Sequence, residues 1–312
     1  MEEGFRLWAN PSSPHVEGRA ARRALEDARE RVKRALGWEG EVIFTSGASE
    51  ALGIALNRAK VERQIVSAVE HDAVFGAAPD AEVLPVVAGR PEFGAIDGEG
   101  WLAAIQQLNS ETGTIVLTGE GQVGTGNLLL ADCSQSAGKL PLPEADMVVL
   151  SAHKFGGPIG IGVLLVRNHI LLEPQGGHER GYRRGTENLP GVLGMAAALD
   201  AGGLDEWSTT EGERLAFRDR LGEVLAPGEQ CSWIFAVAHP ALSAQAQLIR
   251  LDAAGFAVSA GSACSSGTLK RSRALEGFGI AEDVAARTIR VSLGWNTTSE
   301  ELERFVEVWG DL

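Results

Sequence analysis

Apolar positions along this chain fall into two textures, helical spacing and short continuous runs. Ala21, Leu25, Ala28, Val32 and Leu36 recur at steps of four, three, four and four, which places them on one face of a helix. Ser13-Pro14 is expected to cap its start and Gly37 its end. Val42-Ile43-Phe44 is a continuous apolar run that breaks into Thr45-Ser46-Gly47-Ala48-Ser49-Glu50 and then a helical stretch through Ala59: strand, polar turn, helix. Further runs at Ile65–Ala68, Val83–Val86, Thr114–Leu117, Leu128–Ala131, Met147–Leu150 and Gly162–Val166 are mostly continuous rather than alternating, as in strands covered on both faces. A helical segment is expected near Trp101–Leu108. The pattern predicts an α/β fold, a mostly parallel seven-stranded-type sheet sandwiched by helices.

Beyond a helix expected at Asn188–Ala201 the texture changes. Gly202-Gly203 opens a polar connection to a helix at Glu211–Leu225, a strand at Ile234–Val237 and a helix at Leu242–Ala254. Strands at Ala257–Ser259 and Thr288–Ser292 follow, then a terminal helix at whose start Thr298 and Glu301 have capping-box spacing. Two domains are expected: residues 1–204, and a smaller α+β domain, residues 205–312.

Composition narrows the function classes. The 28 Lys and Arg against 42 Asp and Glu leave a net charge of −14, which disfavours a grip on nucleic-acid phosphates or an anionic membrane surface. No apolar run approaches the roughly 20 residues of a membrane span, and Met1–Arg6 lacks the basic flank and apolar stretch of a leader, so a cytoplasmic protein is expected. Cys133, Cys231 and Cys264 are too widely spaced for a disulfide framework or a CxxC metal pair. No metal site is expected, and any special cysteine acts as a single thiol.

Several polar residues stand where apolar runs end. Gly119–Gly124 matches GxGxxG, but the next stretch is another apolar run rather than a helix, so a Gly-rich turn is the better reading than a dinucleotide fingerprint. The Thr45–Glu50 turn would leave backbone N–H groups free for a phosphate at a helix N-terminus, with Ser49 either adding a hydroxyl or merely capping the helix. Asp132 and Lys154 each follow a buried run and lie 22 residues apart. A carboxylate that keeps a pyridine nitrogen protonated and an amine that carries an aldehyde are the pair a pyridoxal phosphate site requires. His71, after Ile65–Ala68, is placed to stack on a flat ring or exchange a proton, its blander role being a structural hydrogen bond. Cys264 has only small and polar neighbours, which suits a nucleophile that must be reached, whereas Cys133 and Cys231 read as structural.

Taken in order, these motifs resemble the cysteine desulfurases, pyridoxal-phosphate enzymes of the fold-type I, class-V aminotransferases. The resemblance runs from Asn10-Pro11-Ser12-Ser13 through Thr45–Glu50, Glu70-His71, Asp132–Lys139, Ser151-Ala152-His153-Lys154, Gly176–Gly181 and Arg184–Asn188 to Gly261–Gly267 and Ile289–Gly294. It implies that Lys154 is the Schiff-base lysine, Asp132 pairs with the pyridine nitrogen, Gln135 bonds the ring hydroxyl and His71 stacks on the ring. It further implies that Ala48, Ser49, Ser151 and His153 hold the phosphate and that Thr186 reaches the phosphate of the other subunit of a homodimer. Arg290 would clamp the carboxylate of L-cysteine, and Cys264 would take the sulfur as a persulfide and release alanine, with an acceptor or scaffold protein of iron–sulfur cluster assembly as partner. Two departures stand out. Only Met1–Ala9 precedes Asn10, where family members carry a strand and an Ala-Thr-Thr segment. Glu120-Gly121-Gln122-Val123-Gly124 takes the place of the family's Asn-Asn-Glu-Ile-Gly. Two competing readings are a selenocysteine or cysteine-sulfinate lyase, which would not need Cys264, and a cofactor-binding scaffold of low intrinsic activity that relies on a partner.

Overall fold

The computed structural model describes residues 1–118, 123–261 and 271–312. After a short helix α1 (Glu2–Arg6), the long helix α2 (Val16–Leu36) buries Ala21, Leu25, Ala28 and Val32, the face set by their spacing. Gly37 closes it in the left-handed conformation, φ +64°, as expected. Its start differs from expectation: the N-cap is His15, whose side chain accepts from the Gly18 N–H at 3.1 Å, while Ser13-Pro14 lies outside the helix. Then come β1 (Glu41–Thr45), α3 (Ala48–Arg58), β2 (Arg63–Ser67), α4 (Asp72–Ala77), β3 (Glu82–Leu84) and a two-residue hairpin of β4 (Val86–Val87) and β5 (Arg90–Pro91). The sheet is completed by β6 (Trp101–Gln106), β7 (Leu128–Asp132), β8 (Met147–Ser151) and β9 (Gly162–Val166), and α5 (Leu189–Asp200) returns over it.

The seven strands lie in the order β1-β9-β8-β7-β6-β2-β3. Strands β3, β2, β6, β7 and β8 pair in parallel, and β9 runs antiparallel to both β8 and β1, so β1 shares the direction of the others. Helices α2 and α5 cover one face through a core that includes Leu25, Val32, Phe44, Ile105, Val148 and Met195. On the other face α3 and α4 pack through Leu52, Leu56, Val74, Leu130 and Val149.

Five expected elements differ. Val83–Val86 is not one strand: Pro85 separates β3 of the large sheet from β4 of the hairpin. Trp101–Leu108, read as helical, is the central strand β6, and every residue of the strand is buried. A strand enclosed on both faces has no alternation to show, and its two alanines mimic helix-forming composition. The helix read over Glu211–Leu225 is α6 (Glu211–Asp219); Gly222 turns the chain at φ +83°, and β10 (Glu223–Leu225) follows. Thr114–Leu117 and Ala257–Ser259 are not strands and make only single bridges, Leu108 with Ile115, Thr114 with Gln230 and Ser259 with Arg290.

The remaining chain adds β11 (Ile234–Ala238), α7 (Ala244–Ala253), α8 (Arg273–Gly277), α9 (Glu282–Ala285), β12 (Thr288–Ser292) and α10 (Ser299–Gly310). Strands β10, β11 and β12 form an antiparallel sheet, and its core of Phe217, Phe235, Leu251, Ile289 and Phe305 is drawn from this part of the chain. Thr298 and Glu301 make the expected capping box at α10.

One buried ion pair ties α2 to β1. Arg29 donates to Glu179 at 2.9 and 3.2 Å and to the Val42 carbonyl at 2.6 Å, and the Phe44 N–H donates to the same Glu179 carboxylate at 2.9 Å. Glu179 and its neighbour Arg180 hold φ of +48° and +56°, a conformation that costs a non-glycine residue about 1–2 kcal/mol. Removing one partner strands a buried charge. Glu179→Ala is therefore expected to lower unfolding free energy by about 3–5 kcal/mol, read as a lower urea midpoint. A loss below about 1 kcal/mol would mean that Arg29 finds water or another acceptor.

Candidate active site

Because six strands share a direction, their C-terminal ends share one rim of the sheet, where ligands sit in open α/β folds. A cavity of about 750 Å³ lies there. The turn Ser46–Glu50 enters it after β1, Glu70 and His71 after β2, Gln106 and Leu108–Glu111 from the end of β6, Asp132, Ser134 and Gln135 from β7, and Ser151, His153 and Lys154 from β8. Arg290 of β12 faces the same space from the C-terminal sheet. The structure thus brings together Ala48, Ser49, His71, Asp132, Gln135, Ser151, His153, Lys154 and Arg290. Thr186 is exposed and does not line this cavity, and Cys264 lies outside the described residues.

At the β1 end the rim is shaped for an anion. Helix α3 has Gly47 at its N-cap with no capping side chain, so Ser49 lies within the first turn rather than capping it. The first N–H groups of this helix face the cavity together with Ser151, whose hydroxyl is 3.0 Å from His153 Nδ1. Gly162 makes the approach possible: it pairs with both Thr45 and Ser151, and a Cβ there would lie 2.6 Å from Gly47 Cα. Burial and the neighbouring Lys154 charge hold the His153 imidazole below its ordinary pKa. Arg183 donates to Glu50 at 3.0 Å and fastens the Gly176–Asn188 segment beside this end of the cavity. Burial pushes the Glu50 carboxyl up, but the Ser46 N–H and Arg183 outweigh it and hold it below the usual range.

At the centre, Asp132 is buried and accepts from the Ser134 N–H at 2.9 Å. His71 caps α4, its Nδ1 accepting from the Ala73 N–H at 3.1 Å, which assigns the ring proton to Nε2. The histidine is therefore both the structural cap of its blander reading and a wall of the cavity. Lys154 is exposed on the rim of the cavity. Lys139 does not line the cavity and donates to the Lys154 carbonyl at 3.0 Å; burial draws its pKa down to about 8. Cys133 and Cys231 are buried, and burial pushes both thiols up, Cys231 to about 11. Neither is a nucleophile at neutral pH.

Two carboxyls were missed in the sequence. Glu70 is 3% exposed; its Oε1 accepts from Ser67 at 2.5 Å and from the Gln106 N–H at 2.9 Å, while Oε2 is buried without a partner. Burial, reinforced by the charge of Asp132, raises its pKa to about 8. Glu111 belongs to Asn109-Ser110-Glu111-Thr112-Gly113, which agrees with the Asn-Asn-Glu-Ile-Gly pattern in its first, third and fifth residues. Asn109, Ser110 and Glu111 line the cavity, so the amide thought absent is present at Asn109. Residues 120–124 are not its counterpart. The misplacement follows from reading β6 as a helix, which hid the fact that Asn109 comes just after a strand end.

This donor set fits pyridoxal phosphate: an anion cradle at a helix N-terminus, a buried carboxylate for the ring nitrogen, an imidazole, an amine on the rim, and the buried unpartnered polar atoms Glu70 Oε2 and Ser134 Oγ around it. The family model for class-V aminotransferases matches residues 2–305. A cysteine desulfurase of Cereibacter sphaeroides is 35% identical over 348 residues, covering 96% of this chain and 87% of that protein. The chain belongs to the cysteine desulfurases of the class-V aminotransferase family. Cysteine desulfurase IscS 1 of Archaeoglobus fulgidus is 31% identical, with 99% of this chain and 90% of that protein covered. A solved NifS-like protein superposes with a TM-score of 0.84 at 26% identity, covering 99% of this chain and 94% of that one. Members of this family depend on pyridoxal phosphate, and the fold is that of fold-type I.

A raised carboxyl makes stability depend on pH. Between an ordinary value of 4.5 and about 8 the folded chain holds the Glu70 proton that the unfolded chain releases, so this group's contribution is fullest below pH 4.5 and falls until about pH 8. Glu70→Gln, a neutral isostere, is expected to remove that decline and to be more stable than the parent at pH 8 by about 1–3 kcal/mol. Equal pH dependence of the two thermal midpoints between pH 5 and 8 would show that Glu70 is ionised throughout.

Proposed function

We propose that this desulfurase converts L-cysteine to alanine and passes the sulfur to Cys264 as a persulfide, for delivery to an acceptor of iron–sulfur cluster assembly. The observation that carries the assignment of roles is the meeting of Lys154, Asp132, His71 and Arg290 in one cavity from four strands. Pyridoxal phosphate, when bound, supplies a conjugated pyridinium that takes up the electron pair released at the substrate Cα. Lys154 would hold the aldehyde and serve as the base at Cα, Asp132 would keep the ring nitrogen protonated, and His71, which lines the cavity, would serve as a proton donor through Nε2. Gln135 would bond the ring hydroxyl, and Ala48, Ser49, Ser151 and His153 would hold the phosphate. Arg290 orients the substrate carboxylate with its planar fork.

In the transfer itself, Cys264 thiolate forms an S–S bond with the substrate sulfur as the S–Cβ bond breaks. The sulfur pair loses two electrons, the carbon skeleton gains them, and protonation completes alanine. No external oxidant is needed. The exposed Lys154, the rim residue Ile159, 86% exposed, and Thr186 outside its own cavity support a homodimer in which Thr186 completes the partner's phosphate site. Residues 205–312 act in this reading as the domain that carries Cys264. A cytoplasmic location suits a chain that works through an unpaired thiol.

Borohydride reduction of the yellow holoprotein is expected to fix the pyridoxyl group on Lys154, and its recovery on Lys139 would sink the assignment. Cys264→Ser should keep the cofactor but lose protein persulfide, with alanine formation from L-cysteine down by orders of magnitude. Alanine at the parent rate would instead mark a lyase that ignores Cys264. Sedimentation should give a dimer, and Thr186→Ala should weaken cofactor retention; a monomer that keeps its cofactor would refute the shared site.

A further inference from the structure

The turn that follows β6 reaches both flanks of the segment that carries Cys264. On the leading side, Ser259 and Arg290 exchange backbone hydrogen bonds, Arg290 N–H to the Ser259 carbonyl at 2.6 Å and Ser259 N–H to the Arg290 carbonyl at 3.2 Å. The Arg290 guanidinium then joins the Ser259 hydroxyl and the Ser110 carbonyl, each at 3.1 Å. On the trailing side, Ser272 caps α8 by accepting from the Leu275 N–H at 3.0 Å, and its hydroxyl donates to Glu111 Oε2 at 2.6 Å.

The turn is itself rigidly held. Asn109 Oδ1 accepts from the N–H groups of Glu111 and Thr112 at 3.0 and 2.9 Å, and the Gly113 carbonyl accepts from the Cys231 N–H at 2.9 Å. Gly113, at φ +71°, lies where a Cβ would be 2.0 Å from the Ile234 carbonyl oxygen, so only glycine lets the turn pack this closely against β11. Adjacent residues of one turn thus hold Ser272 directly, through Glu111, and Ser259 indirectly, through Ser110 and Arg290; the two serines stand 13 positions apart in the sequence with Cys264 between them.

We propose that Glu111 is a positioning residue for sulfur transfer: it anchors Ser272, on the C-terminal side of Cys264 in the sequence, to the turn beside the cavity, while Ser110 and Arg290 anchor Ser259 on the N-terminal side. Glu111 acts through a hydrogen bond, and its charge is secondary. The carboxyl is half-buried, and burial raises its pKa against the opposing pull of the Ser272 hydroxyl and Arg290. His71 and Asp72 at the start of α4 are the other ionisable groups acting on it. The inference rests on Cys264 being the sulfur carrier.

The test uses the holoprotein with L-cysteine, and the cofactor-free chain for stability. Glu111→Ala is expected to lower kcat for alanine release about tenfold with KM within about twofold, because substrate still reaches Arg290 but the thiol is misplaced. Glu111→Gln, whose amide oxygen still accepts from Ser272, should restore kcat to within about twofold. In urea unfolding of the cofactor-free chain, Glu111→Ala with Ser272→Ala should cost less than the sum of the single changes, since either one already breaks the contact. Equal impairment by Gln and Ala would overturn the proposal in favour of a proton or charge role, as would a raised KM at unchanged kcat, or fully additive stability losses. If the parent chain makes no alanine from L-cysteine, the sulfur-carrier reading falls, and the stability cycle alone decides whether Glu111 holds Ser272.

Discussion

The shared direction of six strands is the constraint on which the site depends. Each of β1, β2, β6, β7 and β8 delivers its next residues to the same rim, so an anion cradle, an imidazole, an amide, a carboxylate and an amine from distant parts of the chain meet in one cavity. Reversing any one strand would send its polar end to the opposite rim. The one antiparallel strand, β9, is placed where this does no harm. It contributes Gly162, whose missing side chain lets the Gly47 turn close onto Ser151.

Burying that many polar groups at strand ends has a cost that the structure meets in two ways. Where the charge must stay, it is paired: Glu179 receives Arg29 and a backbone N–H, and this holds the Gly176–Asn188 segment against β1 despite positive φ at two non-glycine residues. Where a second charge would oppose the first, it is neutralised. Glu70 stands near Asp132, receives no cation among the described residues, and keeps its proton to about pH 8. Asp132 then stands beside a neutral Glu70 rather than a second anion, which suits a single positively charged ring nitrogen.

The C-terminal sheet enters the site through few residues, and these are hydrogen-bonded to the turn after β6. Arg290 meets Ser110 and Ser259, and Ser272 meets Glu111. The two parts of the chain therefore meet beside the cavity itself, where a small change of register between them would be felt by the chemistry.

The sequence by itself determined the helix faces, most strands of the large sheet, and the polar residues that end β1, β2, β7 and β8, because continuous apolar runs and their breaks are local signals. It also carried the family, since ordered motifs survive without geometry. The tertiary structure decided what local pattern cannot encode. Strand β6 lacks alternation because both its faces are covered, so Trp101–Leu108 looked helical and Asn109-Ser110-Glu111 went unplaced. Glu179 looked like one more polar residue in a glycine-rich motif until Arg29, 150 residues away, was found against it. Glu70 and Glu111 acquire their chemistry from burial and from partners on other strands, and Lys154 is exposed because the cavity opens beside it. Pairing, burial and cavity shape depend on contacts between distant residues, which spacing along the chain does not specify.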